Sequence, residues 1–548
     1  MMRLRRATGL AAVLCTAAAI APACGTDDPV FPPPEETKFE PAAGGVRRIL
    51  SHEYTRSIAL VLGAEASEAA ETPKDIAQEG FDAIGATILP PSAEPIEIYE
   101  RSAEAVAETA LNNPATLAAT APCVSAAQAT DSCYREVATK VGRLMWRRPL
   151  AQEEIDSLVG VATFAADWDP ANAFEAAIKY ELMALLQSPN FLYITALGQP
   201  DEASGHRKLD AYELASRLSF FLLSRTPDAA LLDKAEAGEL ETPEQIRSAA
   251  QTMIESSEAR LSVELFYDEL LRLRFLAETA KNAETFPTWT PELAAAMRQE
   301  TLLLVEDLVW TRNADIRTLF NADYTYVNPE LAAHYGLILP PGSTGFSKVF
   351  WREEQHRAGF TSQGAFLAHQ SGPLRNSPTK RGKAVLKFIL CEDPPPPPNN
   401  VVPELPMPPP GGATLRELLD LHMDDPACAP CHAQTDPIGF AFESFDAIGR
   451  HRTADEYGFP IDATGAVDGL GEWTNAAELG ELLANDSRTG PCFVRGLVRG
   501  KLGHTESSGE ARAIDALAAS FAEGGHSMQS LLVDMAAHAL FRYVNEPR

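Results

Sequence analysis

Apolar positions recur along this chain at helical spacing far more often than in alternation. Between residues 209 and 223, Leu214, Leu218, Phe221 and Leu222 fall on one helical face, and Arg225-Thr226-Pro227-Asp228 stops the run. Thr242-Pro243-Glu244-Gln245 supplies a hydroxyl cap, a proline for the first turn and an amide three residues after the cap, which is the pattern of a capping box. Thr290-Pro291-Glu292 repeats the start signal ahead of a helix predicted over residues 293–310. Leu415, Leu418, Leu419 and His422 mark a further helix over 414–423, and apolar faces recur in 479–483, 493–502 and 531–540. Strand-like alternation is confined to a short stretch at 348–351. The pattern predicts a mainly α protein: a multi-helical body followed by a small helical module.

Proline and polar clusters punctuate this pattern. Residues 1–23 read as a secretory signal, with Arg3, Arg5 and Arg6 followed by an apolar run over 7–20 that is too short to span a bilayer. Residues 24–44 are rich in proline and acid and read as a tether. Helical domains are expected over 45–115, 116–200 and 201–340, with a further segment over 341–393. Pro394 to Pro398, then Pro403, Pro406 and Pro408 to Pro410, form a proline-rich linker over 394–413, of polyproline II character. Residues 414–460 carry the chemical motif described below, and 461–548 form a C-terminal helical domain. The apolar faces of that last domain are expected to cover the motif region, so that residues 385–548 would fold as one fragment.

Composition narrows the partners. The 548 residues hold 46 basic and 76 acidic side chains, a formal net charge of −30. So negative a chain repels phosphate backbones, which excludes nucleic acid as a partner, and it equally disfavours attraction to anionic lipid surfaces. No stretch after the signal is long and apolar enough for a transmembrane helix. Contact with a membrane would instead run through Cys24. Ala21-Pro22-Ala23-Cys24-Gly25 is similar to a bacterial lipoprotein box, although Ala21 stands where leucine is usual. Cleavage before Cys24 and lipidation of its thiol would anchor the chain, and Gly25 in place of Asp favours the outer membrane or cell surface. The alternative is ordinary signal cleavage with Cys24 incidental.

Export gives the eight cysteines an oxidising setting. Cys15 leaves with the signal and Cys24 takes the lipid. Cys123 and Cys133 flank a short polar loop suited to a local disulfide, which leaves Cys391 and Cys492 as a long-range pair. Cys428-Ala429-Pro430-Cys431-His432 holds the rest. The C-x-x-C-H spacing lets two thiols add across the two vinyl groups of one haem while the neighbouring imidazole reaches the iron. Haem c, covalently attached once, is therefore the expected cofactor. The competing reading is a structural or redox-active C-x-x-C followed by an unrelated histidine. A helix leading into the motif, rather than a strand, favours the cytochrome c-like reading.

The ordered set Arg47-Arg48-Ile49-Leu50 to Glu53-Tyr54, Gly80-Phe81-Asp82, Trp146-Arg147-Arg148-Pro149-Leu150 and Glu213 to Phe221 resembles the planctomycete-type cytochrome-like multidomain lipoproteins. These are built from PSD and PSCyt domains of unknown function with a C-terminal cytochrome c-like module. The resemblance continues through Pro227-Asp228, Asn328, Tyr335-Gly336, Arg357-Ala358-Gly359-Phe360, Ser377-Pro378 with Arg381-Gly382-Lys383, and Asp436-Pro437-Ile438-Gly439-Phe440 to Phe445-Asp446. By that resemblance residues 341–393 are cytochrome-family-like. The chain departs from the family at Thr435, where methionine or isoleucine is frequent.

A sixth iron ligand is not evident. No methionine lies between His432 and Met528, which leaves His451, His504, His526, His538, Met528 and Met535, of which His451 alone is close in sequence. The chain has no H-E-x-x-H, G-x-S-x-G or P-loop. Three function classes remain: electron transfer to a redox partner protein, a haem enzyme with an open iron position, and a haem-free surface scaffold.

Overall fold

Local capping starts the helices where the sequence places them. Thr242 Oγ1 accepts from the Gln245 N–H at 3.3 Å while Gln245 Oε1 accepts from the Thr242 N–H at 2.9 Å, so Pro243–Ile254 begins with two otherwise orphaned donors satisfied. Thr290 caps Pro291–Glu306 from one side only, its Oγ1 accepting from the Leu293 N–H at 3.1 Å, and that helix widens into a π turn over Asp307–Thr311. Asp210 caps Ala211–Leu223. Glu213 reaches back to the Asp210 N–H and also accepts from the Leu197 and Gly198 N–H groups, so one carboxylate ties the helix start to the preceding hairpin. The computed structural model describes residues 39–90, 92–394, 412–423, 428–455 and 458–547. The signal, Cys24, the tether up to residue 38 and the proline belt over 395–411 lie outside the described residues.

Helix makes up 60% of the structure and strands occur only in small antiparallel sheets, so the fold is mainly α. Gly45–Arg48 pairs with Tyr193–Ala196, and Tyr324–Val327 pairs with Ser347–Phe350, the stretch that showed alternation. Tyr543–Val544 adds to the His206–Lys208 edge of a three-stranded sheet. No described helix is long and apolar enough to cross a membrane.

Two apolar cores organise the helices. The first lies among Ser51–Leu62, Ala93–Asn112, Asp131–Trp146, Gln152–Trp168 and Ala173–Gln187, around Tyr54, Val106, Val137, Ile178 and Leu182. The second runs from Phe81 to Val544 and interleaves distant parts of the chain. Met528–Ala537 packs on Pro243–Ile254, while Gly496 and Gly500 face Leu270 and Phe81. From Phe39 onward the chain forms one compact unit. The fragment expected over residues 385–548 would lose part of this packing: the C-terminal helices pack on one another and also on the helices of 211–306. Severing them would expose that shared core to water.

The proline belt likewise joins two segments that pack on each other. Pro378–Phe388 lies against Ala429–Phe440 at backbone contact distance. A Cβ at Gly382 would collide with the Thr435 carbonyl oxygen, and one at Gly439 with that of Pro378. Gly382→Ala is therefore expected to destabilise by about 1–3 kcal/mol through forced separation of the helices. Gly160→Ala, in Gln152–Trp168 with nothing near the added methyl, should instead gain about 0.5–1 kcal/mol. Urea unfolding midpoints of the two variants check the opposed signs.

Candidate functional site

The helix Leu415–Met423 prepares the ground for the motif. Thr414 and Glu417 cap it reciprocally, and Leu415 and Leu419 form a small apolar cluster with Phe440. Arg416 lies over the Phe440 ring, 4.0 Å from its centroid, and donates to the carbonyls of Asp462 and Thr464. Ala429–Phe440 then opens directly on the cysteines. Pro430 sits in its first turn, where a missing N–H costs nothing, and the Cys431 and His432 N–H groups donate to the Cys428 carbonyl at 3.3 and 3.2 Å. The first turn is thus helical, and Cys428, Cys431 and His432 at positions i, i+3 and i+4 share one face. Cys428 is buried and Cys431 is partly covered.

One turn later stands Asp436, fully buried. His432 Nδ1 and Asp436 Oδ2 are 2.7 Å apart. The hydrogen bond to the carboxylate raises the His432 pKa against the effect of burial. The Thr435 hydroxyl lies 3.1 Å from both the Cys431 carbonyl and Asp436 Oδ1, so the residue at which this chain departs from the family supplies a second contact to the same carboxylate. With Nδ1 held by Asp436, ligation of a metal by His432 falls to Nε2.

The segment after the motif helix is gripped by two buried arginines. Arg381, with no exposed surface, donates to the carbonyls of Phe442 (2.7 Å), Phe445 (3.2 Å), Asp446 (2.9 Å) and Leu367 (3.3 Å) and to Ser371 Oγ (3.0 Å). Its charge faces Glu443, 3.9 Å away, which Arg452 also pairs at 2.9 Å. Arg357 donates to the Gly449 and Ser362 carbonyls, with its guanidinium 4.6 Å from the Tyr335 centroid and 4.3 Å from that of Phe445. Beneath it, Glu300 accepts from Thr325 Oγ1 (2.6 Å) and Tyr335 Oη (2.7 Å), and Gln363 donates to Thr325.

The structure bonds Cys123 to Cys133 and Cys391 to Cys492, each pair with Cα atoms 5.4 Å apart. It does not bring the sixth-ligand candidates to the motif. His451 lies beside Phe445, with Arg357, His356 and Glu354 as its charged neighbours. His504 pairs with Glu510, His526 meets Phe521 edge to face near Asp315, and His538 accepts from the Leu540 N–H. Met528 and Met535 are buried in the main core. No cluster of three His, Cys, Asp or Glu side chains able to hold a metal occurs among the described residues. Arg357, Arg381 and Asp436 appear in the sequence only as parts of the family resemblance, without a role. Glu300 and Thr325 carry no signal at all, because their contacts join parts of the chain remote in sequence.

Four family models match the chain in sequence order. PSD3, Protein of unknown function (DUF1587), covers residues 47–112. PSD5, Protein of unknown function (DUF1595), covers 133–195, and PSD4, Protein of unknown function (DUF1592), covers 209–337. PSCyt3, Protein of unknown function (DUF1588), covers 357–455, a span that contains the motif helix with both arginines that support it. The matches support the planctomycete-type multidomain family. The PSCyt3 match starts before the proline belt and ends after it, in keeping with the contact of Pro378–Phe388 on Ala429–Phe440. No curated protein and no solved structure gives a match.

Burial pushes the Glu300 carboxyl up to about 8, against the two hydrogen bonds it accepts. The folded state therefore holds this proton more tightly than the unfolded chain does. The group's contribution to stability is complete below the ordinary value of 4.5 and is lost as pH rises through about 8. Glu300→Gln should remove that loss, so the variant gains on the parent between pH 5 and 8 by at most about 1.4 kcal/mol per pH unit. Urea midpoints of both proteins at pH 5, 6.5 and 8 test this.

Proposed function

We propose that this protein carries one covalent haem c on Cys428, Cys431 and His432 and uses it to exchange single electrons with a partner protein. The reading is supported above all by the shared face of Cys428, Cys431 and His432, with Nδ1 of the imidazole already held by a buried carboxylate. The donor set fits the group. Cys428 and Cys431 would hold the porphyrin by adding S–H across its two vinyl groups, with no leaving group, and His432 would offer Nε2 to the iron. When bound, haem supplies a one-electron iron couple. The chain's own residues orient the imidazole through Asp436 and fix the far end of the motif helix through Arg381. The cytochrome-like name of PSCyt3 points the same way.

A second reading, a haem enzyme with an open iron position, is favoured by one observation: of the nominated sixth ligands, His504, His526, His538, Met528 and Met535 are engaged elsewhere, in ion pairs, a cap and the core, which leaves His451 alone. Both readings place the protein outside the cytoplasm, lipid-anchored through Cys24 to the outer membrane or cell surface.

Protein produced with haem-ligation machinery is expected to give a c-type pyridine haemochrome. Cys428→Ala combined with Cys431→Ala should abolish haem staining on a denaturing gel. A wild-type protein without haem would leave the surface-scaffold reading standing. Spectral shifts on adding cyanide or carbon monoxide would favour the open-site enzyme over the electron carrier. The anchor is tested separately: Cys24→Ala should move the protein from the membrane pellet to the soluble fraction, because one cysteine carries the acyl chains.

A further inference from the structure

We infer that Asp436 is a positioning residue that sets the donor strength of the His432 imidazole and thereby lowers the reduction potential of the iron it ligates; this rests on the haem reading above. Three observations carry it. The His432 Nδ1 to Asp436 Oδ2 distance of 2.7 Å is that of a strong charge-assisted hydrogen bond. Asp436 has no exposed surface, so its charge acts on the imidazole without screening by water. And the two residues are one helical turn apart on the same helix, which fixes their distance independently of the rest of the chain.

A carboxylate accepting from Nδ1–H draws that proton toward itself and leaves the ring richer in electrons at Nε2. A ligand of this kind favours the higher charge on iron, so the oxidised form is stabilised over the reduced form. A neutral acceptor such as a backbone carbonyl does this far less. Thr435 then becomes a trimming residue. Its hydroxyl lies 3.1 Å from both Asp436 Oδ1 and the Cys431 carbonyl, and its one proton, shared between these acceptors, draws part of the carboxylate's charge onto itself and weakens the effect on His432. Asp420, on the preceding helix, is near enough to feel the charge of Asp436, which helps to raise its own pKa behind the leading effect of burial. The site is therefore built as a low-potential couple, whose partner must be a low-potential electron donor.

The two side chains predict shifts of opposite sign. In full-length holoprotein, Asp436→Asn keeps the size of the side chain but removes its charge, and should raise the midpoint potential and lower the iron–histidine stretching frequency of the reduced protein. Thr435→Val removes the hydroxyl and should lower the potential, with the frequency moving up. Simple loosening of the helix would not drive the two variants apart. Spectroelectrochemical titration and resonance Raman spectroscopy at equal haem content per chain provide the readouts. An Asp436→Asn potential equal to that of the wild type, or a rise in both variants, would overturn the inference while leaving covalent haem intact. If Asp436→Asn does not load haem, Thr435→Val decides alone, and an unchanged potential there overturns it. Absence of a haemochrome in the wild type would instead overturn the haem reading itself.

Discussion

The arrangement around the motif depends above all on one of its two buried arginines. Arg381 brings a full positive charge into a region without water, which costs several kcal/mol unless every donor is met. Its acceptors are backbone carbonyls from the turn that follows the motif helix, together with Leu367 and Ser371 from a neighbouring segment. Only one path of the 442–446 backbone presents three carbonyls to the same guanidinium. The contribution of Arg381 is thus less to stability than to uniqueness, because alternatives to that path would strand either the cation or the carbonyls.

The same device recurs across the molecule. Arg147 donates to the Asn190, Phe191 and Tyr193 carbonyls, Arg217 to that of Phe541, and Lys281 to those of Ala368 and Gly372. Desolvation lowers Arg147 to about 9, Arg217 to about 10 and Lys281 to about 7. In a chain with far more acid than base, several of the cations are spent inside, closing turns where helical hydrogen bonding stops. The acidic majority is left to cover the outside.

Features that depend on near neighbours were legible in the sequence. The caps at Thr242 and Thr290, the face of Ala211–Leu223 and the short strand ending at Phe350 all follow from patterns a few residues long. The interleaving of the C-terminal helices with those of 211–306 was not legible, since an apolar face does not specify which distant face will meet it. Gly382 reads in sequence as an ordinary helical glycine, and only the carbonyl of Thr435 above it explains why no side chain is tolerated. At the candidate site, the thiols and the imidazole announce themselves by spacing. Asp436 stands at i+4 from His432 in plain view, yet its role emerges only from its burial. The backbone grip of Arg357 and Arg381 joins residues too distant for any local pattern.

The motif helix is built into the fold along its length. Its C-terminal half is locked by Gly439 against Pro378, by the buried side chains of Ile438 and Phe440, and by the arginines beyond its end, while the thiols and imidazole occupy the opposite end. The main core is built from apolar side chains that run from Phe81 to Val544. In small cytochromes the porphyrin is itself much of the interior, so that the empty protein has little to fold around. Here the main core is closed by apolar side chains drawn from distant parts of the chain, which gives the body an interior separate from the end of the helix that carries the thiols and imidazole. A scaffold of this kind can gain, lose or exchange the chemistry at that end over evolutionary time without having to reinvent its fold.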